Sequence, residues 1–322
     1  MMPNFDTGRV RLRLTCADGM VSAVQVSSQR PDVAMILRGR MADQAVQQLP
    51  LLFALCGQAQ ARAAALALAA AHGEECVPRL ESNVQREVMR EHLWRCLLAL
   101  PPLLREDTLK HEFISSIKWI AEGNRAGLHA LLSSSRIATL HQRLHQIEES
   151  HPISPRLLPR LDARRTLAEW PRLSAKFCRL PDWRGMSAET GAIARQQQTE
   201  EKIKPLFFSR WCARFDELMD WAMGDDKVGA GGTVSATPVA PGIGRSLVET
   251  ARGILMHEIV LDGKRIADYL IVAPTEWNFH PQGILADQLL GQNAEDRDAL
   301  QQYVAQAVAA LDPCVPWELA WT

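Results

Sequence analysis

The sequence lacks the long apolar runs and the charge imbalance that mark several large classes of protein. No stretch of about 18 apolar residues occurs, so no membrane-spanning helix is expected. The first residues contain no apolar run of the signal-peptide kind, which predicts a cytoplasmic protein. Acidic and basic residues nearly balance, 37 against 36, and the formal net charge is −1. This balance argues against nucleic acid or an anionic membrane surface as a partner.

Closely spaced cysteines are also missing. The seven cysteines are Cys16, Cys56, Cys76, Cys96, Cys178, Cys212 and Cys314. Their number is odd and no two form a C-x-x-C motif, which argues against a disulfide framework or a structural zinc site. The sequence also contains no nucleotide-binding glycine loop, nucleophile elbow or H-E-x-x-H motif. An enzyme is therefore the least supported functional class.

The pattern of apolar residues predicts an α+β fold that is mainly helical. Amphipathic stretches predict helices at about 60–72, 81–100, 106–121, 125–146, 200–223 and 295–311. Alternating runs predict short hairpins at residues 9–26 and 254–273. With 47% hydrophobic residues the chain can bury a sizeable core. We expect a single domain over residues 1–322, with a mobile loop at the Gly- and Pro-rich segment 224–244.

The strongest local signal lies between residues 249 and 283. Asp262-Gly263 separates two apolar runs and predicts a tight hairpin turn. Because a hairpin brings its outer ends together, we expect Arg252 to approach Pro274 and Thr275. A cation, a hydroxyl and a rigid apolar corner would then line a pocket for a small polar or anionic group. The alternative is a hairpin that serves only the core, with Arg252 in a structural ion pair.

The same stretch resembles a motif of the large subunit of nickel–iron hydrogenases. The matching residues are Arg252, Gly253, Leu255, His257, Gly263, Tyr269, Pro274, Thr275, Trp277, Asn278 and Pro281. In that family the motif surrounds an iron atom that carries two cyanides and one carbon monoxide. The resemblance implies that Arg252 and Thr275 hydrogen-bond the cyanides, while Leu255 and Pro274 form a dry niche for the carbonyl.

Two cysteines resemble the terminal nickel ligands of that family. Cys56, before Gly57, matches the first cysteine of its N-terminal motif, and Cys314 matches that of the terminal D-P-C motif. Cys56 also precedes a predicted helix, whose dipole favours a thiolate, although a core cysteine is the simpler interpretation of Cys56 alone. The two bridging positions are Ala59 and Trp317. Because two thiolates cannot build a four-thiolate nickel site, no nickel is expected.

Two further elements bear on the resemblance. Glu189-Thr190-Gly191, with Ala194-Arg195, resembles the E-x-G-x-x-A-R element of hydrogenase large subunits. Arg11 stands about where that family has an acidic residue that helps to bind magnesium, so no magnesium is expected. The resemblance extends over roughly residues 8–56, 185–195 and 249–317, which implies a large-subunit-like helical core.

A large-subunit relative that keeps the iron pocket but loses the nickel ligands resembles the hydrogenase expression/formation accessory proteins of the HupK/HoxV type. The resemblance implies a scaffold or carrier that holds the Fe(CN)2CO fragment on Cys56 and Cys314 before its insertion into the large subunit. Expected partners are the hydrogenase large subunit and other maturation proteins, among them a small HypC-like chaperone. The alternative is a cofactor-free chaperone that mimics the large subunit to engage those partners. In a form without the fragment, Arg252 is expected to pair with a carboxylate.

Overall fold

The computed structural model describes residues 8–74, 82–145, 153–196, 206–224 and 234–322. The strands in these ranges are β1 (Arg9–Ala17), β2 (Met20–Gln29), β3 (Val234–Ala240), β4 (Ile243–Thr250), β5 (Gly253–Asp262), β6 (Arg265–Val272) and β7 (Trp317–Trp321). The α-helices are α1 (Ala42–Gln48), α2 (Gly57–Ala71), α3 (Ser82–Trp94), α4 (Leu100–Leu103), α5 (Lys110–Glu122), α6 (Arg125–Leu132), α7 (Ser135–His145), α8 (Ala163–Glu169), α9 (Ala175–Arg179), α10 (Ala192–Gln196), α11 (Leu206–Met223), α12 (Pro274–Asn278), α13 (Ile284–Leu289) and α14 (Arg297–Leu311). The fold is α+β and mainly helical, as the sequence predicts.

The first sheet has the strand order β2-β1-β7 and contains the predicted N-terminal hairpin. Its turn residues, Asp18 and Gly19, both have positive φ, as a two-residue type I′ turn requires. Along β1, buried Val10, Leu12 and Leu14 alternate with arginines that face outwards. Strand β7 joins the sheet parallel to β1, with Val10 opposite Trp317. The sheet therefore brings residues near 317 beside residues near 10.

The second sheet has the order β3-β4-β5-β6 and contains the predicted hairpin around Asp262-Gly263. Residues 225–233 of the predicted loop lie outside the described residues. The loop prediction is wrong for residues 234–240, which form strand β3 and pair with β4. The proline and glycine residues that suggested a loop lie at an irregularity of the sheet and at a turn between two strands. Pro238 lies at a register shift of an edge strand, where proline is tolerated, and Pro241-Gly242 forms the turn to β4.

The alanine-rich helix α2 lies directly on the second sheet. A Cβ atom at Gly244 of β4 would lie 2.1 Å from the Ala67 carbonyl oxygen of α2, so only glycine fits there. The Ser246 hydroxyl, also on β4, donates to the Ala63 carbonyl oxygen at 2.6 Å. This close packing fixes the N-terminus of α2, and with it Cys56, relative to β4 and β5.

The largest apolar cluster joins α3, α5, α6, α7 and α11 around Trp211, which is fully buried. Pro101-Pro102 does not end the predicted helix 81–100. The chain passes from α3 through a π-helical turn at Arg95–Ala99 into α4, whose first turn accommodates both prolines. None of the described helices is long and apolar enough to cross a membrane.

Candidate functional site

Cys56 lies at the N-cap of α2 and is half-buried. Its Sγ atom accepts a hydrogen bond from Gln60 Nε2 at 3.7 Å. Burial raises the pKa of Cys56 to about 12, and the nearby Cys314 adds to the increase, whereas Arg252 acts in the opposite direction. Cys56 is therefore a protonated thiol at neutral pH, and a metal would have to displace its proton.

A carboxylate occupies the N-terminal end of α2. Glu87 accepts hydrogen bonds from the backbone N–H groups of Gln58, at 2.8 Å, and Ala59, at 3.1 Å. These are the donors that a helix offers to a negative charge at its start. Glu87 therefore takes the donors that would otherwise favour a thiolate at this helix start, and burial is the largest influence on the pKa of the Cys56 thiol.

Cys314 lies in the segment that follows helix α14, far from Cys56 in the sequence. Helix α14 ends at Leu311, and its C-cap residue Asp312 adopts the left-handed conformation with φ 57°. The chain then turns so that Cys314 Sγ lies 3.1 Å from the Thr275 hydroxyl oxygen. The Cys314 backbone N–H donates to the same oxygen at 3.4 Å. Thr275, at the start of α12, thus contacts both the backbone and the thiol of Cys314.

Arg252 is buried and paired with two carboxylates, an arrangement that both interpretations of the hairpin predict. Its Nη2 atom lies 2.9 Å from Glu91 Oε2 and 3.4 Å from Asp312 Oδ1. Burial alone would lower the pKa of Arg252, but Asp312 and Glu91 outweigh it and raise the pKa. Within the described part of the chain, no atom accepts a hydrogen bond from Arg252 Nε.

Leu255 and Pro274 contribute apolar surface. Leu255 is fully buried in a cluster with Ala59 and Ala63, and Cys56 packs against this cluster. Pro274 is buried as the first residue of α12, directly before Thr275. An alanine at position 59 therefore packs where the hydrogenase motif has a thiolate.

Four predicted site residues come together. Thr275 contacts Cys314 directly, and Cys56 and Arg252 lie within electrostatic range of Cys314, which raises the pKa of each. Trp317, at the second bridging position, begins β7 and packs in the apolar cluster of β1, β2 and α14. Within the described residues, no group of three histidine, cysteine or carboxylate side chains could hold a metal ion.

Sequence reasoning missed a second cation at the site. Arg30 follows β2, and its Nη1 atom lies 3.5 Å from Glu276 Oε1. Burial lowers the pKa of Arg30, but Cys314 and then Glu276 outweigh this effect and raise it, with a further contribution from Cys56. Glu91, which pairs with Arg252, was missed as well. No local pattern marks either residue, because the fold alone brings them near the cysteines.

The residues around Thr190 hold the start of the second hairpin in place. The Thr190 N–H donates to Asn278 Oδ1 at 2.9 Å, and Asn278 Nδ2 donates to the Arg252 carbonyl oxygen at 3.2 Å. The Ile254 N–H donates to the Thr190 hydroxyl at 3.1 Å. Gly253, with φ 126°, has no space for a Cβ, which would lie 2.4 Å from Thr190. The motif residues thus fix the backbone from which Arg252 projects.

Buried ion pairs also stabilise the segments around Thr190 and Arg252. Arg210 pairs with Glu189 through two hydrogen bonds of 2.7 and 2.9 Å. Arg195 pairs with Glu217 in the same way and with Glu249 at 2.8 Å. Glu189 and Arg195 are the charged residues of the E-x-G-x-x-A-R element, and their contacts are structural.

Comparison with known proteins identifies the family. The family model described as nickel-dependent hydrogenase matches residues 206–316. The hydrogenase expression/formation protein HoxV of Cupriavidus necator is 30% identical, over 95% of this chain and 94% of its own length. The chain belongs to the family of hydrogenase expression/formation proteins. Another member, HupK of Azotobacter vinelandii, is 28% identical over 97% of this chain and 98% of its own length.

Solved structures of hydrogenases have the same fold as this chain. The Ni-Fe-Se hydrogenase from Desulfovibrio vulgaris Hildenborough in the reduced state superposes with a TM-score of 0.63 at 15% identity, over 93% of this chain and 94% of the hydrogenase chain. The reduced, active Ni-Fe-Se hydrogenase from Desulfomicrobium baculatum gives the same TM-score and identity, over 94% of this chain and 95% of the other. This member of the family therefore has the hydrogenase large-subunit fold.

Proposed function

We propose that this protein is a hydrogenase maturation factor that holds the Fe(CN)2CO fragment before the fragment passes to the hydrogenase large subunit. The fragment is a cargo and not a resident cofactor. The observation that carries the proposal is the meeting of two thiols, Cys56 and Cys314, beside a buried arginine with an unused donor. These groups lie in a large-subunit fold in which two of the four nickel-site cysteines are replaced.

The set of ligands suits an iron that brings ligands of its own. Two thiols alone leave a bare metal ion under-coordinated, whereas two cyanides and a carbonyl fill three positions of the iron. The fragment, as iron(II) with two cyanides, is neutral, and two thiolates make the complex negative. Arg252 and Arg30 supply positive charge next to the thiols. Because Cys56 is protonated when empty, loading releases its proton.

The surroundings of the thiols match the other ligands of the fragment. Arg252 Nε can donate a charge-assisted hydrogen bond to one cyanide nitrogen, and the Thr275 hydroxyl can donate to the other. Buried Leu255 and Pro274 exclude water from the space available to the carbonyl. Two thiolates hold the fragment less firmly than four, which allows it to be passed on.

The proposed partners are the hydrogenase large subunit and other maturation proteins, including a small HypC-like chaperone. Nickel is not part of the proposal, because Ala59 and Trp317 replace the bridging cysteines. Magnesium is not part of it either. Arg11 at the corresponding position forms an ion pair with Glu318 on β7.

A cofactor-free chaperone is the second candidate, and one observation favours it. Arg252 already has two carboxylate partners, and Cys56 has a donor from Gln60, so the region is largely self-satisfied without cargo. In that case the protein would mimic the large subunit to engage its maturation partners, and both cysteines would be structural.

Infrared spectroscopy separates the two candidates. The protein is purified without oxygen from cells that contain the complete maturation machinery, and its iron and nickel contents are measured in parallel. The scaffold proposal predicts two cyanide bands, one carbonyl band and iron without nickel. Cys56→Ala and Cys314→Ala should each abolish the bands. Cys212→Ala, on α11 outside the site, should retain them. Absence of both bands and iron, with partner proteins shown to be active, would refute the scaffold and favour the cofactor-free chaperone.

A further inference from the structure

A cleft of about 110 Å³ opens on the surface beside the cysteine site. It lies between the segment that follows β2, helix α9 and strand β6. Its lining includes Arg30, Asp32, Phe53, Cys178, Arg179 and Glu276. The space is large enough for several water molecules or one small ligand. Its walls are part apolar and part charged, and two of the charged residues are arginines.

The Arg30–Glu276 ion pair forms part of the wall of this cleft. Glu276 directly follows Thr275, whose hydroxyl contacts Cys314 Sγ at 3.1 Å. The Arg30 guanidinium is near enough to Cys56 and Cys314 to interact electrostatically with both thiols. Arg30 thus lines the cleft and also lies within electrostatic range of the two cysteines.

The Arg30–Glu276 contact is loose in comparison with the other buried pairs. Arg30 Nη1 and Glu276 Oε1 lie 3.5 Å apart. Arg210 and Glu189, by contrast, share two hydrogen bonds of 2.7 and 2.9 Å. The Arg30 side chain is 19% exposed, whereas those of Arg210 and Glu189 are each 2% exposed. The guanidinium of Arg30 can therefore exchange Glu276 for another anionic partner at lower cost.

We propose that this cleft is the port through which the iron fragment reaches and leaves the cysteine pair, and that Arg30 binds the cyanide side of the fragment as it passes. The inference rests on the proposed function and adds a site and a residue to it. The ligand class is a small metal complex with anionic ligands. Its cyanide nitrogens replace the Glu276 carboxylate on the guanidinium, and no covalent bond of the protein changes in this exchange.

Cysteine alkylation tests the port without iron. The cargo-free protein is treated with iodoacetamide, which is neutral, or with iodoacetate, which is anionic, and each cysteine is quantified by peptide mass spectrometry. Cys178 lines the cleft and reports that the reagent has arrived there. Cys96 is fully buried in the helical core and reports unfolding. The measured quantities are the labelling rates of Cys56 and Cys314 and the ratio of the two reagents.

Filling the cleft should slow labelling at the cysteine pair. Ala175 is exposed and lines the cleft, so Ala175→Trp adds bulk there without disturbing the core. We expect a several-fold lower rate at Cys56 and Cys314 with both reagents. Ala130→Trp, at an exposed position of α6, is the matched control and should leave both rates unchanged. Equal rates in Ala175→Trp and the parent protein would overturn the port.

Removing the Arg30 guanidinium should reduce the preference of the cysteine site for the anionic reagent over the neutral one. In Arg30→Gln we expect the iodoacetate-to-iodoacetamide ratio at Cys314 to fall by up to about tenfold, because a nearby cation concentrates anions. The ratio cancels any change in thiol reactivity common to both reagents. Arg38→Gln, which breaks an exposed ion pair with Asp268, is the control. An unchanged ratio in Arg30→Gln would refute the role of Arg30. Labelling needs no cargo. A negative result in either labelling experiment would therefore refute the port or the role of Arg30 without deciding the infrared test of the scaffold.

Discussion

The Thr275 hydroxyl oxygen lies 3.1 Å from Cys314 Sγ and 3.4 Å from the Cys314 backbone nitrogen. One side chain therefore positions a cysteine that is distant from it in sequence. In the proposed loaded state the same hydroxyl also faces a cyanide. Its contribution to the empty site and to the loaded site can be separated, because serine keeps the hydroxyl and valine keeps only the shape.

Thr275→Val should weaken cargo binding and alter the spectrum. The substitution removes one hydrogen bond, which is worth about 0.5–1.5 kcal/mol or up to about tenfold in iron retention. One of the two cyanide bands should shift, because its nitrogen loses a donor. Thr275→Ser should resemble the parent protein in iron content and band position. Identical spectra for the valine variant and the parent would show that Thr275 does not contact the cargo.

Arg252→Lys should keep the charge and lose the specific donor. Lysine can still pair with Glu91 or Asp312, but it has no Nε–H in the planar arrangement of a guanidinium. We expect the other cyanide band to shift and the iron content to fall, with little change in the urea unfolding midpoint. Arg95→Lys is a close control, since Arg95 also pairs with Asp312, at 2.6 Å. If both lysine variants shift the band equally, Asp312 and not Arg252 Nε governs the cyanide.

Acid should destabilise the fold through His257. Burial lowers the pKa of His257 from 6.5 to about 3. Below pH 6.5 the unfolded chain takes up a proton that the folded chain does not accept until about pH 3. Stability is therefore lost as the pH falls through this window, by up to about 1.4 kcal/mol per pH unit. His257→Gln should flatten the pH dependence of urea unfolding. The same slope in both proteins would exclude His257 as the source.

Glu217→Gln should strongly destabilise the helical region. Although burial raises the pKa of Glu217, Arg195 and His92 outweigh it and lower the pKa to about 2. The Glu217 ion pair thus contributes stability above pH 4.5, the ordinary pKa, and loses it as the pH falls towards 2. Removing this buried charge leaves Arg195 poorly compensated, at a cost of about 3–5 kcal/mol. Glu318→Gln, in an exposed pair, should have no measurable effect. Similar unfolding curves for the two variants would contradict the prediction.

Gly244→Ala should displace α2 from the sheet. The added Cβ would lie 2.1 Å from the Ala67 carbonyl oxygen and 2.2 Å from the Ala71 nitrogen, and both are backbone atoms that cannot rotate away. We expect a loss at or above the upper end of about 1–3 kcal/mol in urea unfolding. Cys56 should also be alkylated faster by iodoacetamide, because it begins α2. Gly263→Asn, at a turn with open space, is the control and should change neither quantity. Normal stability of Gly244→Ala would show that α2 can shift freely.

The sequence was sufficient for features whose signals are local. Both hairpins were predicted, because Asp18-Gly19 and Asp262-Gly263 are turn residues between alternating or apolar runs. Strand β3 was missed because proline and glycine usually indicate loops, whereas here Pro238 lies at an irregularity of an edge strand. Strand β7 was missed because its partner, β1, lies in a distant part of the sequence.

The candidate site divides in the same way. Cys56, Cys314, Arg252 and Thr275 were proposed from a resemblance of short motifs, and the fold brings them together. Arg30 could not be found from sequence, because a single arginine before Pro31 has no distinctive spacing. Its relation to the cysteines depends on the packing of α12 and of the segment after β2. Residues in recognisable motifs can therefore be predicted from sequence, whereas residues that reach this site only through long-range packing cannot.

The parallel pairing of β7 with β1 has a consequence for biosynthesis. During translation, Cys56 leaves the ribosome long before Cys314. The first sheet lacks its third strand, β7, until residues 317–321 have been made. A nascent chain that stops before residue 314 has only one of the two site cysteines and no complete receptor. Under the proposed function, a chain truncated before Cys314 cannot hold iron on both cysteines, so such translation products would not sequester the fragment from the hydrogenase.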